Sequence, residues 1–505
     1  MKKIISLVLT VTFLVACLAG CAAKNAEDGG MNMAPSYVGG SPENANDADV
    51  GEGEYEYGDI IENAFIKTAD EPVSTFSADV DTASYSYFRK LVNSGYNLEE
   101  LIATAGKSIR TEEMINYFDY NYAGPAAGEL FGKNVQISAC PWNESAVLMT
   151  LGLKTEEIKI SADNNLIFLI DVSGSMESAD KLPLLKKAFE TLVSHLDEGD
   201  RISIVTYSGR ESVVLEGCSG SKKEKIMNAV NDLKAKGSTN GQAGLQKAYA
   251  LAEKYYIAGG NNRIIMASDG DLNVGISSAD ELKSYVSQKR DSGVYLSVLG
   301  FGTGNYKDDR MEALADNGNG VYYYIDGEAE AEKVMGIDIF STLYTVGRDV
   351  KLQLTFNPEL VDSYRLVGYE NRLLNKEDFA DDTKDAGDVG AGHAVTVCYE
   401  LILKDGARES DTEWMTLAVR YKLPNEEKSE LREYKIGKGD YTDAPNGDFK
   451  FISSVIELSM LLHKSKYLPE GSLAGIINDL AELDLSADTE KAELLTLLRK
   501  LSEAK

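Results

Sequence analysis

The sequence predicts an α/β protein in which a doubly wound, mostly parallel sheet is flanked by a β-rich region and a helical C-terminus. Between residues 161 and 345, apolar runs of strand length alternate with amphipathic helical segments, the pattern of a parallel sheet covered on both faces. On both sides of this segment, apolar and polar residues alternate with a period of two, which is typical of antiparallel strands with one wet face. From residue 449 onward, the leucines have helical spacing.

The central segment starts with the continuous apolar run 166–170, as expected for a strand buried on both faces. The next apolar residues recur at intervals of three and four, which predicts a helix with Asp180 as its N-cap. The runs 202–207 and 212–215 are close enough in the chain to form a hairpin, which places one antiparallel strand at an edge of the sheet. Further strands are predicted at 263–267, 294–299 and 321–325.

The two flanking segments are expected to form one β-sandwich, with the central domain as an insertion. Neither flank alone offers many strands, and both flanks connect to the central domain near the same end of that domain. The alternating segments are 135–139, 147–153, 350–356, 395–401 and 415–421. One face of a C-terminal helix carries Leu494, Leu497, Leu498 and Leu501. We expect this face to pack on the sandwich.

Composition and charge exclude several classes of function. The chain has 505 residues and a formal net charge of −30, from 51 Lys and Arg against 81 Asp and Glu. Nucleic acid and anionic membrane surfaces are therefore not expected as main partners, because phosphate binding needs clustered cations. Beyond the N-terminal stretch, three cysteines remain, namely Cys140, Cys218 and Cys398. Since their number is odd and small, we expect free, mostly buried thiols.

The N-terminus has the features of a lipoprotein signal. Lys2 and Lys3 precede an apolar stretch, 4–17, that is shorter than a membrane-spanning helix. It ends in Leu18-Ala19-Gly20-Cys21, which resembles a bacterial lipobox, and this resemblance implies that Cys21 carries the lipid. Residues 22–63 are strongly acidic and poor in large apolar side chains, which predicts a disordered tether. The alternative is a plain secretory signal with a chance cysteine.

Short oxygen-bearing side chains follow three of the predicted central strands. Asp171-Val-Ser173-Gly-Ser175 comes directly after the first strand, Thr239 lies in a glycine-rich loop, and Asp269 ends a later strand. The carboxyl ends of parallel strands meet at the same edge of a sheet. No imidazole or thiol accompanies these oxygens, so the set suits a hard divalent cation, Mg²⁺ first, with Mn²⁺ or Ca²⁺ as alternatives.

This pattern resembles the metal-ion-dependent adhesion site of von Willebrand factor type A (VWA) domains, which have a Rossmann-like doubly wound sheet. The resemblance implies that Ser173, Ser175 and Thr239 contact the metal, and that Asp171 and Asp269 bind it directly or through water. Other motifs resemble a group of uncharacterised bacterial lipoproteins with a VWA-associated N-terminal region and a C-terminal domain of unknown function. These motifs are at residues 76–85, 110–118, 140–143, 300–306 and 368–372.

The expected organisation follows from these segments. It comprises a lipoprotein signal peptide at 1–20, a disordered acidic tether at 21–64, a VWA-associated region at 65–160, a VWA domain at 161–345 and a β-rich plus helical domain at 346–505. The expected location is lipid-anchored and extracytoplasmic, on the cell membrane or the outer membrane.

The expected function is binding of a protein partner whose carboxylate completes the coordination of the metal ion, so that adhesion depends on metal. One alternative is a constitutive scaffold of an envelope complex. Another is a metal-assisted hydrolase with Asp271 or Glu177 as general base. We do not expect an enzyme, because no histidine or cysteine accompanies the site in the sequence. No nucleotide is expected either, because Asn305 stands where the run beginning at Gly300 would need the last glycine of a dinucleotide loop.

Replacement of Cys21 by Ser should move the protein from the membrane fraction to the soluble fraction, because it removes the sulfur that would carry the lipid. Fractionation with immunoblotting, together with mass measurement of the wild-type N-terminus, checks this. A Cys21→Ser protein that stays in the membrane, with no lipid mass on the wild type, would contradict the anchor.

Overall fold

The computed structural model describes residues 60–157, 163–237, 241–270, 279–302, 308–339, 344–424 and 426–504. Cys21, the predicted signal peptide and most of the predicted tether lie outside these residues. Within them, no helix is both long enough and apolar enough to cross a membrane.

The N-terminal region contains short helices that the period-two pattern does not predict. Tyr85, Phe88, Leu91 and Val92 are buried on one face of the first of these helices. The spacing of these four residues is helical, but their face becomes recognisable only when the tyrosines are counted as core residues. The elements are β1 (Ile66–Lys67), β2 (Val73–Ser77), α1 (Ala83–Asn93), α2 (Leu98–Thr104), α3 (Thr111–Asn116), β3 (Phe131–Ala139) and β4 (Val147–Thr155).

The central domain has the predicted doubly wound sheet. Its strands are β5 (Asn164–Asp171), β6 (Arg201–Tyr207), β7 (Ser212–Ser219), β8 (Asn261–Ser268), β9 (Tyr295–Phe301) and β10 (Tyr322–Ile325). Its helices are α4 (Leu182–His195), α5 (Lys223–Asn231), α6 (Gly241–Lys254), α7 (Ala279–Arg290), α8 (Asp308–Asn317) and α9 (Glu328–Lys333). The order is β10-β9-β8-β5-β6-β7, parallel except for β7. The hairpin of β6 and the antiparallel edge strand β7 is therefore confirmed.

Helices cover both faces of this sheet. One face packs against α4, α5 and α9 in a single apolar core, and the other packs against α6, α7 and α8. The expectation that Asp180 caps α4 is wrong. Its carboxylate accepts a hydrogen bond from Ser178 Oγ at 2.7 Å and pairs with Lys90 at 3.0 Å, and the N-cap position is Lys181.

The C-terminal region continues with strands and then helices. The strands are β11 (Thr345–Phe356), β12 (Val361–Val367), β13 (Gly387–Gly390), β14 (Ala394–Leu403), β15 (Met415–Lys422) and β16 (Ser429–Ile436). The helices are α10 (Gly447–His463), α11 (Leu473–Ala481) and α12 (Thr489–Glu503).

Strands from both flanks share two sheets, as the sequence predicts. One sheet has the order β1-β12-β14-β4-β3, and in the other β2 pairs with β11 beside β13, β15 and β16. Leu352 pairs with Phe76 across β11 and β2, and Val397 pairs with Leu151 across β14 and β4. The apolar faces of the two sheets form one core. The two flanks therefore build a single sandwich.

The leucine face of α12 is buried as expected, but it does not pack on the sandwich core. It belongs to the core formed with the N-terminal helices, and α12 contacts α1 and α11. The reason is that α3 and α10 already lie over this side, with α3 against β14 and α10 against α3. The last helix therefore adds an outer layer.

Glu112 is a fully buried carboxylate between α3 and the loop that follows β12. Its Oε2 accepts a hydrogen bond from the backbone N–H of Tyr369 at 2.9 Å, whereas its Oε1 has no hydrogen-bond partner among the described residues. Burial, together with the nearby Glu370 carboxylate, raises the pKa of Glu112 to about 7. Ionised Glu112 therefore opposes the folded state.

Residues 346–505 expressed alone should fold poorly, because β11 then lacks β2 and β14 lacks β4, which exposes strand edges. Residues 161–345, which contain all six strands of the central sheet, serve as the comparison and should fold, because no strand of that sheet loses a pairing partner. Near-ultraviolet circular dichroism and analytical ultracentrifugation measure the result. A monomeric, cooperative unfolding transition of the 346–505 fragment would refute mutual dependence of the flanks.

Glu112→Gln should make the unfolding free energy less dependent on pH. In the wild type, the raised pKa of Glu112 stabilises the folded state fully below pH about 4.5, and this stabilisation is lost as the pH rises to about 7. The variant has no such group to ionise. Its unfolding free energy should therefore increase relative to that of the wild type as the pH rises from about 4.5 to about 7. Urea unfolding from pH 4 to 8 measures the difference, with the exposed Glu359→Gln as the control. Identical pH profiles for wild type and Glu112→Gln would contradict the buried, protonated carboxyl.

Candidate metal site

Two of the predicted ligands meet at one edge of the central sheet. β5 and β8 are adjacent and parallel, with Ile170 opposite Ala267, so Asp171 and Asp269 stand at neighbouring strand ends. Their exposed fractions are 0% and 1%. Two carboxylates buried side by side need a positive partner, because both are removed from water.

The loop after β5 folds back over Asp171. The backbone N–H of Ser173 donates to Asp171 Oδ1 at 2.7 Å, and the Ser173 and Ser175 hydroxyl oxygens are 2.9 Å apart. Ser173 is buried and Ser175 is exposed, so the serine pair leads from the interior to the surface. The structure thus brings together Asp171, Ser173 and Ser175 as predicted.

The loop that precedes Thr239 lies against this segment. Lys236 N–H donates to the carbonyl oxygen of Val172 at 2.6 Å, and Gly174 N–H donates to that of Gly237 at 3.0 Å. Gly237 has φ +84°, a value that favours glycine. Thr239 itself lies outside the described residues, so its part in the site stays a prediction.

Asp269 binds a lysine that the sequence reasoning missed. Its Oδ2 accepts a hydrogen bond from Lys181 Nζ at 2.8 Å, and the same ammonium donates to the carbonyl oxygen of Ser175 at 3.0 Å. The other oxygen, Oδ1, is buried and has no hydrogen-bond partner among the described residues. No local pattern separates Lys181 from Lys186 or Lys187 in the sequence. The contact depends on the tertiary fold.

These residues fit a hard divalent cation. In the described part of the site, carboxylate and hydroxyl oxygens come together without imidazole or thiol groups, and the buried Asp269 Oδ1 has no donor there. Tyr207, at the end of β6, lies beside them and was also missed. Burial and the nearby Asp171 carboxylate raise the pKa of Tyr207, so that its phenol stays neutral and adds no negative charge.

A second acidic cluster lies away from the strand ends. One oxygen from each of Asp79, Asp81 and Glu113 falls within 4.8 Å of the others. Arg372 pairs with Asp79 at 2.9 Å and with Asp81 at 3.2 Å, and Ser84 donates twice to Glu113. Since protein groups already pair with all three carboxylates, we interpret the cluster as a structural junction.

The remaining sequence candidates have other roles. Gly302 has φ +75° and leaves room for Lys181, because a Cβ there would lie 2.2 Å from Lys181 Cε. Among the alternative general bases, Glu177 is exposed, and Asp271 lies outside the described residues. The expected free thiols are confirmed, since Cys140, Cys218 and Cys398 are unpaired with one another and buried.

Comparison with known proteins identifies the family. The family model for the von Willebrand factor type A domain matches residues 165–336, a von Willebrand factor model matches 52–150, and a model of the C-terminal region of uncharacterized protein YfbK matches 341–504. The uncharacterized protein YfbK of Escherichia coli K12 is 38% identical over 474 residues, which cover 88% of this chain and 80% of that protein. The chain belongs to the YfbK family.

Other similarities of this YfbK-family chain are confined to part of its relatives or to the fold. Human inter-alpha-trypsin inhibitor heavy chain H3 is 30% identical over 177 residues, 33% of this chain and 20% of that one. The solved von Willebrand factor type A protein from Catenulispora acidiphila aligns with a TM-score of 0.42 and 17% identity, over 76% of this chain and 89% of that one. The family model matched at residues 165–336, together with the observed strand order, confirms the expected VWA architecture. VWA domains have a protein-interaction fold and commonly bind a divalent metal.

Proposed function

We propose that this protein is a lipid-anchored cell-envelope protein whose VWA domain binds a protein partner through a divalent cation. The proposed ligands are Asp171, Ser173, Ser175, Thr239 and Asp269, with Mg²⁺ as the first choice of metal. The observation that carries the proposal is the buried Oδ1 of Asp269, which has no hydrogen-bond partner among the described residues, at the strand end next to Asp171.

The charge of this site suits an acidic partner group. Two carboxylates against a 2+ ion leave the ligands and metal near neutral, so an incoming carboxylate is not repelled by the site itself. Ser175 is exposed, which places the outer side of the site at the surface. A carboxylate from a partner would then complete the coordination of the ion, and binding would require both the metal and that carboxylate.

Binding without catalysis is the function that this chemistry supports. A metal-assisted hydrolase needs a general base held near the ion, whereas Glu177 is exposed to solvent. The described contacts of Ser173, Ser175 and Asp269 involve no histidine or cysteine. The lipid on Cys21 and the acidic segment after it would hold the folded body at the extracytoplasmic face of a membrane.

Asp171→Ala and Asp269→Ala should each abolish the rise in melting temperature that Mg²⁺ gives the wild type, because each removes one of the two charges facing the ion. Linkage sets the size of the wild-type effect at about 2.7 kcal/mol when free metal is roughly 100 times its dissociation constant. Asp171→Ala should keep or slightly raise the stability in EDTA, because it relieves carboxylate repulsion. The measurement is thermal unfolding of the full chain in detergent, with Mg²⁺, Mn²⁺, Ca²⁺ or EDTA.

Glu177→Gln is the matched control, since it removes an exposed carboxylate from the same loop and should leave the metal-induced shift unchanged. A wild type that shows no shift with any of the three metals would remove the proposed metal site. Equal loss of the shift in Glu177→Gln would mean that overall loop charge, not coordination, attracts the ion.

A further inference from the structure

Lys181 is placed at the candidate metal site by its main chain and by its side chain. Its carbonyl oxygen accepts the N–H of Leu185 at 2.9 Å, which fixes the backbone at the start of α4. Its ammonium reaches Asp269 Oδ2 at 2.8 Å and the Ser175 carbonyl at 3.0 Å. The side chain is 12% exposed. A lysine held at both ends and largely buried is not a surface charge that happens to lie nearby.

The glycine that follows β9 leaves space for the Lys181 side chain. Gly302 lies against it, and a Cβ at that position would come within 2.2 Å of Lys181 Cε. The φ of +75° keeps this backbone in a region that favours glycine, and Tyr324 Oη donates to the Gly302 carbonyl at 2.9 Å. The absence of a side chain at Gly302 therefore leaves space for the lysine stem.

The charge of Lys181 compensates a buried carboxylate. Asp171 and Asp269 are both buried, and two uncompensated carboxylates in such a place would oppose folding strongly. Lys181 offers one positive charge to Asp269, whereas a divalent cation would offer two to the same carboxylate. The two cations therefore have the same target.

We propose that Lys181 is a built-in competitor of the divalent cation. Its ammonium neutralises Asp269 when the ion is absent, and its hold on this carboxylate is weakened when the ion binds. This inference rests on the proposed metal site. It implies that the VWA domain stays folded without metal and binds metal less tightly than its oxygen ligands alone would allow. Metal occupancy, and with it partner binding, would then follow the external cation concentration instead of being permanent.

The test compares Lys181→Met with Lys187→Met in the full chain. Lys187 is on the same helix and pairs with Glu328, both side chains being largely exposed. Lys181→Met should lower the melting temperature in EDTA, because Asp269 loses its partner, and should lower the Mg²⁺ dissociation constant about tenfold, because a positive charge leaves the site. Lys187→Met should change neither quantity. Isothermal titration with Mg²⁺ and thermal unfolding provide the two readouts.

Two further variants keep the test valid if the Lys181→Met protein does not fold. Lys181→Gln keeps a hydrogen-bond donor without the charge and should also tighten Mg²⁺ binding. Lys181→Arg keeps the charge and should bind Mg²⁺ no more tightly than wild type.

If the wild type binds Mg²⁺, and Lys181→Met and Lys181→Gln bind it with the same or a weaker affinity, the competition is overturned and the metal site stands. Absence of Mg²⁺, Mn²⁺ and Ca²⁺ binding in the wild type and in both uncharged variants would overturn the metal site as well. Binding that appears only in the uncharged variants would support the competition in its strongest form.

Discussion

The guanidinium of Arg372 joins three parts of the chain that are far apart in sequence. It contacts carboxylates of the N-terminal segment and of α8 in the VWA domain, while Arg372 itself follows β12 of the sandwich. The partners are Asp79 at 2.9 Å, Asp81 at 3.2 Å, Asp316 at 2.8 Å and Glu312 at 3.5 Å. Removal of one partner from a buried charge cluster typically costs about 3–5 kcal/mol. The VWA domain is therefore fixed to the sandwich by charge compensation, not only by apolar contact.

Contacts with buried carboxylates also lie at the edge strand β10 of the VWA sheet. At one end of β10, Asp81 accepts the N–H of Tyr322 at 2.9 Å. Just past the other end, Asp326 pairs with Arg89 of α1 at 2.6 Å. Arg89 also binds Glu330 at 2.6 Å and, in α12, Glu493 at 3.1 Å. An exposed parallel edge strand would be open to pairing with other chains. The N-terminal region lies against β10, and the last helix packs on α1, which explains why these distant segments share one core.

Sequence reasoning reached as far as local periodicity and motif spacing allow. The buried run before Asp171 and the alternation around Leu352 and Leu151 were sufficient to predict the sheet, its edge hairpin and the shared sandwich. It missed α1, whose buried face depends on tyrosines, and it assigned the cap of α4 to Asp180, which binds Lys90 instead. Lys181 could not be found, because one lysine among many becomes special only when the fold brings a distant carboxylate to it. Arg372 lies in the motif 368–372, but its pairing with Asp79 and Asp81 was not predicted.

Buried carboxylates are compensated by different cations at the domain junctions and at the candidate metal site. At Arg372 and Arg89 the compensating cation is a guanidinium, which stays charged and forks between carboxylates, so these contacts are permanent. At Asp269 it is a lysine, a single point charge on a flexible stem, and the proposed competition with a divalent cation requires this flexibility. The full chain carries a formal net charge of −30 and repels acidic groups, but salt screens this repulsion beyond about 8 Å at physiological ionic strength. An acidic partner of the proposed kind would therefore be recognised only at short range, by the bound cation. If Lys181 and the cation exchange at Asp269, the same carboxylate is compensated in both states, whereas the arginine contacts between the domains stay unchanged.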